Sequence, residues 1–115
     1  MEIDPEMVVP DKTKSIIKGA ILPLGEQPRG NWYGSILKSL SKSYNFSFTT
    51  PWYKLDPKVR EMLLVGTGGK KLKMDYSSDR WSGTYTGGWE GVVPNLMRRY
   101  NQTKSNHIRD WIEQF

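Results

Sequence analysis

A chain of 115 residues has room for one core, and five Trp, six Tyr and three Phe within a 37% apolar composition favour a packed domain over a disordered tail. Zero cysteines and a single histidine, His107, exclude disulfides, thiol catalysis, thiolate zinc sites and histidine-rich metal sites, and fit a reducing, cytoplasmic setting. The net charge of +5 is uneven: residues 1–11 hold four acids and no base, residues 12–73 hold twelve Lys or Arg against Glu26, Asp56 and Glu61, and residues 74–115 hold five of each sign, so the basic middle points to an acidic partner, nucleic acid foremost, with solubility alone as the bland alternative.

The acidic opening, Glu2 to Asp11 with Pro5 and Pro10, predicts an extended entry with at most a short Met7-Val8-Val9 strand. Acids stand where a secretory signal would carry Lys or Arg, and no apolar run approaches the roughly 18 to 20 residues of a membrane span, so neither export nor a membrane is indicated. Ser15 to Ile21 predicts an irregular or strand segment, and Gly25 to Asn31 a loop. A helix begins after Asn31, a favourable N-cap, because Trp32, Tyr33, Ile36, Leu37, Leu40 and Tyr44 fall on one helical stripe. Ser35, Lys38, Ser39, Ser41, Lys42 and Ser43 occupy its other face. Asn45 to Phe48 predicts a short extended exit.

Asp56-Pro57 marks the start of a second helix, with Val59, Met62 and Leu63 on its buried side and Gly66 as a left-handed cap. From Lys70 the period becomes two: Leu72, Met74 and Tyr76 alternate with Lys71, Lys73 and Asp75, and Ser77-Ser78-Asp79 turns the chain into a strand where Trp81, Gly83 and Tyr85 alternate. This predicts a β-hairpin from Lys70 to Thr86. Pro94 or Asn95 opens a third helix to about Thr103 with Leu96, Met97 and Tyr100 inward, and a fourth begins near Ser105 and buries Ile108, Trp111, Ile112 and Phe115. The class is α+β, four helical segments packed on a small antiparallel sheet.

Catalytic constellations fail one by one. Gly66-Thr67-Gly68-Gly69-Lys70-Lys71 imitates a phosphate loop, but Lys71 replaces the required Ser or Thr and the order is helix then strand. His107 has no second His or Cys with which to share a metal, and Glu2, Asp4 and Glu6 lack the spacing of a calcium loop. Binding remains. Lys70, Lys71 and Lys73, with Arg80 near the hairpin turn, suit phosphates, and Arg98 and Arg99 either hold phosphates bidentately or, for one of them, pair with Glu90 or Asp110 for the fold. Trp81 and Tyr85 are placed either to stack on exposed bases or to pack inward. Lys38 and Lys42, one helical turn apart, read as a solvated face.

The run WEGVVPNLMRRYNQTKS, Trp89 to Ser105, resembles the Phe-Glu-Gly-Val-Ile-Pro-Asn-Leu-x-Arg-Arg-Tyr-x-x-Thr-x-Ser stretch of the bacterial UvrA family, the DNA-damage sensors of nucleotide excision repair. IDPEMVVPD, SIIKGAI and LLVGTG, beginning at Ile3, Ser15 and Leu63, are similar to further family segments in the same order, so the resemblance covers nearly the whole chain, residues 1–115, as one domain. It implies an excised insertion domain of the first ATPase half, a mobile module that helps bind duplex DNA and sense lesions, in a parent that uses ATP and zinc, forms a homodimer and works with UvrB. The Walker motifs, ABC signature and zinc cysteines are absent here, so the resemblance implies no catalysis and no cofactor in this segment. By position Arg98 and Arg99 match the family's Arg-Arg pair. The return strand carries Arg80 as its one basic residue where family members often carry several. The expectation is therefore a basic face of Lys70, Lys71, Lys73, Arg80, Arg98 and Arg99 against duplex phosphates, with damage sensed through DNA shape and deformability. The competing expectation is a protein-interaction module with an exposed apolar patch around Trp32, Trp52 or Trp89, contacting another UvrA subunit or a repair partner.

Overall fold

In the computed structural model, which describes residues 1–77 and 82–115, the chain begins with a helix where the sequence suggested a strand. The Asp4 carboxylate accepts from the Glu6 amide and Pro5 occupies the first turn, so α1 forms over Pro5–Val8. Its Val8 and the following Val9 are fully buried. Ser15 to Ile21, expected to be irregular or a strand, is irregular and holds a 3₁₀ turn at Ile16–Lys18, which Gly19 closes at φ 89°. Ser15 forms an isolated antiparallel bridge with Pro51, which ties this turn to a second 3₁₀ turn at Trp52–Lys54.

Helix α2, Trp32–Tyr44, runs through the middle of the molecule. The Asn31 side chain accepts from the Gly34 amide at 2.9 Å and caps its start. Ile36, Leu37 and Leu40 are buried to 1% exposure or less, as the stripe predicts. Asn45 ends it in the left-handed region. Phe46 and Ser47 then run without regular structure into a turn at Phe48, and Phe46 and Phe48 meet edge to face at 5.8 Å. Helix α3, Pro57–Val65, is capped by Asp56.

Strands β1, Leu72–Ser77, and β2, Ser82–Gly87, pair antiparallel in the register Met74 with Tyr85 and Lys73 with Thr86. The hairpin is thus present, while its turn residues, with Arg80 and Trp81, lie outside the described residues. Helix α4 spans Val92–Gln102, two residues earlier than the proline suggested, because proline is tolerated anywhere in a first turn whose amides have no helical acceptor. Leu96 is buried and Tyr100 half-buried, but Met97, expected inside, is 36% exposed. Helix α5, Asn106–Glu113, is capped by Ser105. The class is α+β, with five α-helices and a two-stranded sheet among the described residues.

Helix α2 packs on β1, α3 on α4 and α4 on α5. The core is one cluster that takes Val8, Ile21, Leu37, Leu63, Met74, Leu96 and Ile112 from successive parts of the chain. Two glycines decide how α3 meets α4. Gly66 does end α3, but at φ 101° and ψ −179°, outside the left-handed helical region expected of a cap. A Cβ on Gly66 would sit 2.5 Å from the Glu90 carbonyl oxygen, and one on Gly91 would sit 2.4 Å from the Val65 carbonyl carbon. The two backbones cross in contact, and glycine is what lets them. Around the crossing, the Thr67 amide donates to the Trp89 carbonyl at 2.8 Å, the Trp89 amide to the Thr67 hydroxyl, and the Trp89 indole to the Leu63 carbonyl at 3.2 Å. At the other end of the molecule the Asp4 amide donates to the Phe115 carbonyl at 2.8 Å, so first and last residues of the fold lie side by side.

Candidate nucleic-acid interface

Helix α2 lies against the hairpin closely enough to share hydrogen bonds with it. The Ser39 hydroxyl accepts from the Asp75 amide at 3.1 Å and lies 3.3 Å from the Asp75 carbonyl, which fixes the helix along β1. Between them is an open groove of about 600 Å³. Lys38 and Lys42 line it from the helix and Lys73 from the strand, and Ser35, Ser39, Ser43, Ser82 and Thr84 line it with hydroxyls. Asp75 is the carboxylate on its wall. Ion pairs among the described residues join Lys12 to Glu6 and Arg98 to Glu90, so none occupies the three groove lysines. Cations and hydroxyls facing each other across an open trough are the donor set that phosphate oxygens take.

The six cations expected to form one face do not share a groove among the described residues. Lys73 lies in the trough above. Lys70 sits over the Tyr44 ring at 5.8 Å, at the C-terminal end of α2, and Lys71 is exposed beside it. Arg98 turns to Glu90: its Nε donates at 2.8 Å and a terminal nitrogen at 3.1 Å, and another donates to Gln102 at 3.0 Å. The hydrogen bonds from Arg98, against the opposing effect of burial, hold the Glu90 carboxyl below its ordinary value. Arg98 is thus paired with Glu90, one of the two arrangements the sequence left open. Arg99 lies over Trp111 at 5.5 Å, on the side where α4 meets α5. Arg80 is outside the described residues. Lys38 and Lys42 are exposed, in keeping with the solvated face the sequence suggested, and the strand opposite makes that face one wall of a groove.

A second depression lies between the N-terminal part of α2 and the end of β2. Ser35 lines the trough and its neighbour Ile36 lines the depression. It encloses about 230 Å³ between Trp32, Tyr33, Tyr85 and Trp89, with Asn95, Glu90 and Arg98 at its polar side. Trp32 meets Tyr85 edge to face at 6.0 Å, and Tyr33 meets Trp89 at 5.4 Å. Burial pushes the Tyr33 phenol up to about 12, so it stays neutral. No group of three or more His, Cys, Asp or Glu that could hold a metal occurs among the described residues.

The family described as the UvrA DNA-binding domain matches residues 4–114. UvrABC system protein A of Clostridium tetani is 42% identical over an alignment that takes in all of this chain and 12% of that protein. The protein of the same name from Methanothermobacter thermautotrophicus is 38% identical with the same coverage. The crystal structure of UvrA2 from Deinococcus radiodurans shares the fold at a TM-score of 0.70 and 14% identity, over 98% of this chain and 15% of that one. The chain thus spans about an eighth of the length of these relatives, and with its match running almost from end to end it belongs to the UvrA DNA-binding domain family.

Proposed function

We propose that this domain is the DNA-contacting, non-catalytic insertion module of a UvrA-type excision-repair protein, and that it holds the phosphate backbone in the trough between α2 and the hairpin. The observation that carries this is the meeting of Lys38, Lys42 and Lys73 across one hydroxyl-lined groove. The adjacency of Asp4 and Phe115 supports the insertion, since a domain whose ends touch enters and leaves a larger fold at one point. In that parent, ATP turnover, zinc modules, dimer formation and work with UvrB belong to the rest of the chain, and this module contributes grip and a response to deformed duplex. Lys70 and Lys71 extend the cationic surface along the start of the hairpin, and Arg80, Arg98 and Arg99 are secondary to it.

The test replaces Lys38, Lys42 and Lys73 with alanine and measures duplex DNA affinity against salt. The slope of log affinity on log salt flattens by about 0.9 for each phosphate no longer neutralised, roughly 2.7 for all three. An unchanged slope removes the trough from the mechanism. The protein-interaction reading retains a narrower base than its three tryptophans suggested: Trp52 is 3% and Trp89 7% exposed, which leaves Trp32 at 40%.

A further inference from the structure

We infer that the aromatic depression lined by Trp32, Tyr33, Tyr85 and Trp89 is a binding site for one unstacked nucleobase. This rests on the backbone-gripping function proposed above. Four rings line the site, and two of them remain open to solvent, Trp32 at 40% and Tyr85 at 38% exposure. Base faces stack on such rings without regard to sequence. Its volume of about 230 Å³ is below the range of about 300–1,000 Å³ usual for drug-sized ligands, and suits a single planar ring.

Charge separates a base from a phosphate here. The Arg98 guanidinium at the site is answered by Glu90, and Tyr33 is neutral, so the depression offers no net attraction to an anion. It offers neighbouring hydrogen-bonding groups instead. Asn95 donates through Nδ2 to Glu90 at 3.1 Å and keeps its Oδ1 unengaged among the described residues, beside the Arg98 fork and the Glu90 carboxylate. An open acceptor beside the rings suits an exocyclic amine or ring N–H on the edge of a base. Thr84 of the trough and Tyr85 of the depression are consecutive on β2, so their side chains leave the hairpin on opposite faces. A damaged or mispaired base leaves the stack at the least cost, which makes such a site selective for distorted duplex.

The probes are a short duplex bearing one bulged adenine and the same duplex fully paired, bound to the wild-type chain, Trp32→Ala, Tyr85→Ala and Trp32→Phe. Both truncated rings are partly exposed, so the fold survives, and a thermal melt verifies it. The wild-type chain binds the bulged duplex more tightly than the paired one. Each alanine variant weakens bulged-duplex binding five-fold or more, leaves the paired duplex and the salt slope unchanged, and Trp32→Phe restores most of the loss. Equal binding of the two duplexes by the wild-type chain overturns the proposal. So does an equal loss on both probes, or a wild-type preference that survives ring truncation, and retained DNA binding with loss of a protein partner would assign the rings to protein docking instead. The trough is scored separately by its salt slope, so failure of one reading does not hide failure of the other.

Discussion

Gly91→Ala tests the backbone crossing on which the α3–α4 junction depends. Gly91 sits at φ 94° and ψ 149°, a region essentially reserved for glycine that costs an L-residue about 1–3 kcal/mol. Its new Cβ would lie 2.4 Å from the Val65 carbonyl carbon and 2.5 Å from the Gly66 nitrogen, against 3.4–4 Å for ordinary contact. Those atoms are main chain and cannot rotate away, so overpacking adds about 1–3 kcal/mol. The expected loss is about 2–6 kcal/mol. Gly68→Ala is the internal control: it has φ 63° with nothing within 4 Å of the added carbon, so it carries the conformational cost alone, about 1 kcal/mol. Urea melts of the 115-residue chain give both values, with a slope of about 1–3 kcal/mol/M converting midpoints to free energies. Should Gly91→Ala fall within about 0.5 kcal/mol of Gly68→Ala, the crossing contributes nothing beyond backbone strain and the close approach is not a constraint.

Removing the α2 cap by Asn31→Ala lowers stability by about 1 kcal/mol in the same melts, because the Gly34 amide is left without its acceptor. Arg98→Ala flattens the salt dependence of DNA binding less than Lys73→Ala does, since Glu90 already answers Arg98; equal effects would place Arg98 among the groups that grip phosphate. Glu90→Gln changes the acid side of the stability profile. Hydrogen bonds from Arg98 depress the folded-state carboxyl below its ordinary 4.5, so the pair's contribution is present above that value and is lost as pH falls through the lower, folded one. The variant therefore shows a shallower fall in urea midpoint below pH 4.5, and an identical acid limb would mean the pair adds no stability.

Local chemistry makes α2 and the hairpin legible: Asn31 with a six-residue apolar stripe leaves little choice, and the period-two run from Lys70 places Met74 inward. Helix α1 escapes a sequence reading although its mark is present. Asp4-Pro5 is the same pair that locates α3 at Asp56-Pro57, but only one turn follows it, and the β-branched Val8 and Val9 suggest a strand. The start of α4 is displaced for the opposite reason, because a proline that marks the first helical residue elsewhere stands third here. The trough needs tertiary information. Nothing in the spacing of Lys38 and Lys42 says that a strand bearing Lys73 will face them, and nothing near Arg98 in sequence chooses between a phosphate and Glu90.

The segments that carry the family resemblance do something different from the trough proposed to hold DNA. Leu63 to Gly68 and Trp89 to Gly91 meet at the α3–α4 crossing, where Gly66, Thr67, Trp89 and Gly91 supply the close approach and its hydrogen bonds. Asp4 and Pro5 start the helix whose cap residue bonds the far end of the chain. The second arginine of the Arg-Arg pair lies on Trp111, and the first is held by Glu90. These are requirements of closing the fold, so matching them identifies the scaffold. The trough is built from lysine and serine, residue types common on any surface, and its meaning comes only from which elements the scaffold sets side by side. Membership of the family and the location of the DNA-binding surface are therefore separate claims. A variant that empties the trough of charge while leaving the melt untouched would separate them in one molecule.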